Sequence, residues 1–268
     1  MLTPSRGLDG RALAAIRALE AEVIAHDGGR LKLEHGVLET RDPEVVQDLL
    51  WWEGDRLVGF AGVYAFGGVE VAGMVAPDQR RQGIGSALLT AARELVAAPV
   101  LLVVPRGGGP GEAFARHHGA VLDHSEHFLV LREPPSGEPR DPSVTVTPAT
   151  DFTEVRRLLE AAFGWRPPTD LHDRAGDATL LVERGGVAVG TVRLTRHGDT
   201  AGVYGFAVDP SVQGQGIGRD VLGRVCRQLV DEGYARVTLE VATDNEHALG
   251  LYTSTGFVPE AGEDYWSL

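Results

Sequence analysis

Two segments of this 268-residue chain place glycines between a strand and a helix in a way that can hold an anion. Residues 75–89 read Val-Ala-Pro-Asp-Gln-Arg-Arg-Gln-Gly-Ile-Gly-Ser-Ala-Leu-Leu, and residues 208–222 read Val-Asp-Pro-Ser-Val-Gln-Gly-Gln-Gly-Ile-Gly-Arg-Asp-Val-Leu. In the second, Gln213-Gly214-Gln215-Gly216-Ile217-Gly218 leads into a helix. Glycine tolerates positive φ and lets a ligand approach the backbone. The first turn of a helix carries unpaired N–H groups and a partial positive charge, a combination that favours phosphate. Two other phosphate loops are excluded. Neither copy ends in the Gly-Lys-Ser/Thr of a P-loop. Leu88 and Val221 stand where a dinucleotide fingerprint needs its third glycine. One such turn is equally a plain strand-to-helix junction. Two copies in matching context argue for a phosphate seat.

The elements around the loops repeat as well. Arg80 and Gln213, the lead residues, lie half a chain apart, the mark of two copies of one domain rather than a solenoid. Residues 10–26 have helical periodicity, with Leu13, Ile16, Leu19 and Val23 on one face. Residues 56–66 and 69–75 alternate as strands about Gly67-Gly68. The first loop opens a helix to about residue 97, followed by a buried strand over 100–104, a glycine-rich stretch over 105–111, a brief helix over 112–118 and strands up to 132. Residues 134–143 are polar and proline-rich, a linker composition. Then come a strand over 144–147, a helix over 151–163 capped by Asp151, strands over 180–183 and 187–195 about Gly185-Gly186, and a strand over 203–208 into the second loop. This order predicts an α/β (α+β) fold in two domains, 1–133 and 144–268, joined by the linker.

Composition sets further bounds. At 43 % hydrophobic and 24 % charged, the chain has the make-up of an ordinary soluble protein, and each half is long enough to bury a core. A net charge of −13 argues against nucleic acid as a partner and modestly favours cationic substrates such as amines. The single cysteine, Cys226, excludes an internal disulfide and suits a reducing cytoplasm. Its place on an apolar helix face predicts a core residue rather than a nucleophile. No signal-peptide pattern and no run of membrane-spanning length is present, so no membrane partner is expected. His117, His118, His124 and His127 cluster in sequence, but strand alternation separates neighbours and no metal site is expected.

The pattern Arg/Gln-x-x-Gly-x-Gly after a Val-x-Pro strand end resembles the acyl-CoA pyrophosphate loop of the GNAT acyltransferase superfamily. The matching residues are Arg80, Gly83 and Gly85 in the first half and Gln213, Gly216 and Gly218 in the second. The second half also carries a pattern similar to the superfamily's other signature: the alternating strand 236–242, Asp244-Asn245-Glu246 opening a helix that holds Tyr252, and Gly256-Phe257. The resemblance covers nearly the whole chain and is stronger in the second half. It implies two tandem domains, each a mixed, mostly antiparallel sheet flanked by helices. It also implies acetyl-CoA as donor and a small-molecule amine or peptide N-terminus as acceptor. Donor contacts are implied for Ala207, Val208, Gln213, Gly214, Gln215, Gly216, Ile217, Gly218, Arg219 and Asn245, and in the first half for Val75, Arg80, Arg81, Gly83 and Gly85.

Acyl transfer from a thioester to an amine needs a proton acceptor for the amine, polarisation of the carbonyl, a proton for the departing thiolate, and orientation of both reactants. By analogy with the family, a backbone N–H at Ala207 or Val208 polarises the carbonyl. Tyr252 is the candidate acid, with packing beside Phe257 as its structural alternative. Glu240 is the candidate base, with solvent exposure as its alternative. Asn245 is placed both to cap its helix and to approach the pantetheine arm. The Leu-Glu-Val…Asn…Leu-Tyr…Gly-Phe arrangement and the ending Asp264-Tyr265-Trp266 look like those of acetyltransferases acting on ribosomal-protein N-termini. Trp51, Trp52 and Trp165 are candidates for lining an acceptor groove, with core packing as the plainer role.

The first half departs from the pattern. Residues 105–111 replace the Asp-Asn segment, Phe114 or His117 falls where the tyrosine should be, and Gly119-Ala120 replaces Gly-Phe. Chemistry is therefore expected in the second half, with the first binding acyl-CoA without turnover or binding nothing. An acyl-CoA sensor without turnover is the alternative from another class. The tandem layout also resembles mycothiol synthase, but Gly202 stands where that family has an acidic residue. Oligomeric state is left open.

Overall fold

The computed structural model describes all residues except 66–67, 137–139, 165–166, 168–172 and 174–175, so the Gly67 turn and Trp165 lie outside the described residues. Its first part runs β1 (Leu2–Arg6), α1 (Gly10–Asp27), α2 (His35–Glu39), β2 (Val46–Glu53), β3 (Arg56–Ala65), β4 (Val69–Val75), α3 (Ile84–Glu94), β5 (Val100–Pro105), α4 (Pro110–His117) and β6 (Val121–Leu131). Helix α1 begins where the Asp9 carboxylate accepts from Ala12 N at 2.7 Å and ends at Gly28, at φ 76°. Ile16, Leu19 and Val23 are buried as the periodicity predicts; Ala12 joins them, and Leu13 is half-buried against the same core.

The second part runs β7 (Val144–Pro148), α5 (Phe152–Phe163), β8 (Ala178–Arg184), β9 (Val187–His197), β10 (Thr200–Val208), α6 (Ile217–Asp231), β11 (Arg236–Ala242), α7 (Glu246–Thr253) and β12 (Phe257–Ser267). Asp151 caps α5 by accepting from Thr153 N at 2.8 Å, and Gly164 closes it in the left-handed region. From β1 to β5 and from β7 to β11 neighbouring strands pair antiparallel, except for the pair that flanks the helix after the glycine loop. There β4 runs parallel to β5, and β10 parallel to β11. A parallel pair requires a crossover, and the loop helices α3 and α6 supply it.

Contacts divide the chain into one unit of Met1–Glu126 with Ala261–Leu268 and another of His127–Glu260. This differs from a division into 1–133 and 144–268 in two ways. The last residues of β12 lie in the first unit, where Glu263 to Ser267 pair antiparallel with β5 from Pro105 to Leu101. Tyr265 and Trp266, 1 % and 2 % exposed, belong to its core. The aromatic ending likened to that of a second-half catalytic domain therefore completes the first. The expected linker is also no free connector. In the second unit Arg140 N donates to Asp220 Oδ1 at 2.8 Å, Arg224 donates to the Asp141 carbonyl at 2.7 Å and Arg227 to the Pro135 carbonyl at 3.3 Å. Composition registers the prolines but not the strand pairing, which joins residues more than a hundred positions apart.

Each unit has its own apolar core. Phe60, Val71, Leu88 and Tyr265 are central to the first, and Leu194, Val221, Leu239 and Phe257 to the second. Cys226 is buried among the second set, and burial pushes its thiol up to about 12, as befits an inert core residue. Among the described residues no helix is long and apolar enough to cross a membrane.

Candidate active site

The two glycine loops share one backbone conformation. Each leaves its strand through a 3-10 turn, Pro77–Gln79 or Pro210–Val212, and reaches an extended lead residue. Arg80 Nε donates to the Val75 carbonyl at 3.1 Å, and Gln213 Nε2 donates to the Val208 carbonyl at 3.0 Å. The next residues, Arg81 and Gly214, sit at φ 64° and 77°. Gly83 and Gly216, both at φ 84°, precede α3 and α6 without any side-chain cap. The first-turn N–H groups of both helices thus face an uncapped end, which suits an anion. Arg81 is the sole non-glycine at positive φ among the described residues. That conformation costs an L-residue about 1–2 kcal/mol.

Away from the loops the units diverge. A Cβ on Gly85 would stand 3.1 Å from the Phe114 ring, and one on Gly218 would stand 3.3 Å from Leu251. Phe114 and Leu251 are therefore equivalent, and Ala115, fully buried, matches Tyr252. The helix ends agree: His118 N donates to the Ala115 carbonyl, and Thr255 N to the Tyr252 carbonyl. Neither Phe114 nor His117 takes the tyrosine's place, because the register is set by packing on the loop helix. Arg80, implied as a donor contact, has its Nη1 and Nη2 on Asp27 at 2.9 and 2.6 Å in addition to its bond to Val75. Its side chain thus braces the loop against the end of α1, with three of its five N–H donors engaged.

The strands differ too. In the second unit β10 and β11 pair only up to Val203 with Leu239, and β10 bulges between Tyr204 and Ala207, where Gly205 sits at φ 52°. In the first, β4 pairs with β3 in unbroken register from Val69 to Val75. The bulge was missed in the sequence, although an isolated glycine within a strand is its ordinary sign. Beyond it Asp209 N donates to the Val189 carbonyl at 2.8 Å. Backbone groups of successive strand residues point to opposite edges, so the N–H of Val208 faces the fork that β11 leaves open. Ala207 is buried against α5 with Val155 and Leu159.

Glu240 directly follows the last residue of β11 that pairs with β10, at the fork, and is half-buried. Leu239 and Val241 point into the core, so Glu240 faces the other side of the sheet. Tyr252 on α7 is 8 % exposed and meets Phe257 edge-on at 6.2 Å. Its hydroxyl has no hydrogen-bond partner among the described residues, and burial pushes its pKa up to about 12. Asn245 caps α7, its Oδ1 accepting from Ala248 N at 3.0 Å. Ile217 contributes its side chain to the core, so only its backbone remains for a ligand. Gln215 Oε1 accepts from Arg184 at 2.7 Å, and Arg219 donates to Ser254 Oγ at 3.2 Å.

Residues 148–257 match the acetyltransferase (GNAT) family, and residues 47–119 match an acetyltransferase (GNAT) domain. The chain is 31 % identical to a mycothiol acetyltransferase of Thermomonospora curvata, covering 94 % of this chain and 92 % of that one. A mycothiol acetyltransferase of Streptomyces coelicolor is 32 % identical, with 91 % and 87 % covered. The chain belongs to the GNAT acetyltransferases. Solved structures agree in fold. A GCN5-related N-acetyltransferase from Sphaerobacter thermophilus matches with a TM-score of 0.79 at 19 % identity, covering 100 % of this chain and 95 % of that one. A tandem GNAT protein from the clavulanic acid biosynthesis pathway matches with a TM-score of 0.69 at 18 % identity, covering 100 % and 98 %. This tandem GNAT enzyme is thus an acetyl-CoA-dependent N-acetyltransferase.

Other residues singled out in the sequence of this acetyltransferase make local contacts. Trp51 and Trp52 pack against the first core, with Arg11 lying 5.0 Å over the Trp52 ring. The clustered histidines serve separate contacts: His118 Nε2 lies 3.0 Å from Ser86 Oγ, and His124 stacks on Tyr265 at 4.2 Å. The place of Gly202 is crowded, since a Cβ there would meet the Tyr204 ring at 2.3 Å and Thr195 Oγ1 at 2.6 Å. Tyr204 covers the space in which an acidic side chain at 202 would stand.

Proposed function

We propose that the second unit carries out acetyl transfer to a primary amine, with Glu240 as base and Tyr252 as acid. The observation behind this reading is Tyr252, a buried side chain whose hydroxyl has no hydrogen-bond partner among the described residues, on the helix that packs against the pyrophosphate loop. A phenol near 12 stays protonated at neutral pH and is available to donate. The departing thiolate becomes a stronger base as it is desolvated, so it can take that proton. The loop N–H groups from Gly214 to Gly218 receive the diphosphate. The Val208 N–H takes the developing charge on the thioester oxygen. The amine nitrogen attacks the carbonyl carbon as Glu240 takes its proton, directly or through one water. The carbon–sulfur bond then breaks, and the Tyr252 proton passes to sulfur.

The first unit keeps a loop of the same conformation but has Ala115 for the phenol and no bulge in β4, the strand before its loop. We assign it no turnover. The acceptor is a small amine or a peptide N-terminus, and the single buried cysteine accords with a reducing cytoplasm. A second reading, an acceptor of the mycothiol type, draws on the names of the relatives; the Tyr204 ring over Gly202 speaks against it. The test is release of free CoA from acetyl-CoA across a panel of α-amino peptides, polyamines, amino sugars and the amine precursor of mycothiol. Turnover of one class assigns the acceptor. CoA binding without release on any member leaves an acyl-CoA sensor and sinks the proposal.

A further inference from the structure

We propose that Arg184 binds a phosphate of the nucleotide end of acetyl-CoA, supplying a cation that the pyrophosphate loop of the second unit lacks. This rests on the donor site assigned above. The loop from Gln213 to Gly218 contains no charged residue, whereas the first loop opens with Arg80-Arg81. The donor carries a diphosphate and a 3′-phosphate toward a chain of net charge −13. Backbone N–H groups can orient such an anion, but local cations must offset the overall repulsion.

Arg184 is placed for this. It ends β8, and the hairpin turn after it lies at the loop end of the sheet, because Val208 pairs with Gly190 near the start of β9. Its Nη1 donates to Gln215 Oε1 at 2.7 Å, within the loop itself. Its Nε pairs with Asp141 Oδ2 at 3.0 Å. Asp141 is in turn held by Ser143, whose N and Oγ donate at 3.0 and 2.5 Å; these bonds lower its pKa and keep it ionised. The guanidinium is thereby oriented from two sides. Its Nη2 has no partner among the described residues, and its side chain is 38 % exposed. Arg219 flanks the loop on the α7 side through Ser254, so the two arginines bracket the seat. A guanidinium tied to a side chain of the loop suits a phosphate oxygen.

The experiment compares KM for three donors: acetyl-CoA, its 3′-dephospho form, and S-acetyl-N-acetylcysteamine, which has no phosphate. Arg184→Gln should raise KM for acetyl-CoA about 5–10-fold at unchanged kcat, the range for a partly exposed charge-assisted bond. It should leave the phosphate-free donor unaffected. Arg184→Lys should recover part of the loss, and Asp141→Asn should fall between the variant and the parent. A penalty that persists with the 3′-dephospho donor places the contact on the diphosphate; one that vanishes places it on the 3′-phosphate. Equal KM values for acetyl-CoA in variant and parent, or the same loss with all three donors, would overturn the proposal. Calorimetric CoA binding by the same variants separates this outcome from failure of the catalytic reading. Weaker binding without turnover upholds Arg184 and rejects only the catalytic assignment.

Discussion

Replacing Tyr252 by Phe removes one hydroxyl from a side chain that is 8 % exposed, a hydroxyl with no hydrogen-bond partner among the described residues. Burying an unpaired hydroxyl is unfavourable by about 1–3 kcal/mol on mutational scales, so its loss should leave stability unchanged or slightly raised. The ring, its contact with Phe257 and its place in the core all remain. If the hydroxyl protonates the departing thiolate, kcat should fall about 100-fold or more, which is about 2.7 kcal/mol in the barrier, with KM for acetyl-CoA unchanged. The two measurements are thermal unfolding and free-thiol release at saturating donor. A donor whose thiol is more acidic should recover most of the lost rate, because its thiolate leaves without a proton.

Alkaline pH supplies a second arm. The folded-state pKa of Tyr252 is raised from 10.0 to about 12, so its contribution to stability is complete below pH 10 and is lost as pH rises towards 12. That rise corresponds to about 3 kcal/mol. The Phe variant should lack this part of the alkaline loss and keep the part due to Cys226. A variant that loses more than about 2 kcal/mol of stability, or one that turns over at the parental rate with ordinary donors, would refute the reasoning.

Glu240→Gln should lower kcat about 100-fold, and its residual rate should climb with pH as solvent takes over deprotonation of the amine. A pH–rate series on the variant checks this. Arg81→Gly should raise the thermal midpoint by relieving about 1–2 kcal/mol of left-handed strain, less the flexibility that glycine adds to the unfolded chain; Gly214→Ala in the sister loop should lower it. Deleting residues 261–268 removes Tyr265 and Trp266 from the first core, each worth about 3–5 kcal/mol, against a net stability of about 5–15 kcal/mol. Hydrogen exchange should then show the β5 amides unprotected.

Features that depend on neighbours in sequence were readable from the residues alone. The helical face of α1, the cap at Asp151, the turn at Gly185-Gly186 and both glycine loops all follow from local spacing, since backbone preference and first-turn geometry act over a few residues. Tyr252 and Glu240 were legible because they stand at fixed intervals from a loop of recognisable type. The bulge at Gly205 had a local sign that a strand reading passes over. Arg184 had none, as its link to Gln215 spans a hairpin and a strand.

Sequence by itself determined that this chain holds two glycine loops, each between a strand and a helix, and that the second has the fuller complement of chemical groups beside it. Both rest on residue type, since glycine alone enters the left-handed region without strain and only one half has a tyrosine in its closing helix. Tertiary structure decided the rest. It turned Arg80 into a brace for its loop, put Ala115 opposite Tyr252, and gave the final residues of the chain to the first unit. These outcomes depend on strand pairing and side-chain contacts between segments far apart in sequence. Such contacts are selected by which surfaces bury one another, and no local pattern records that.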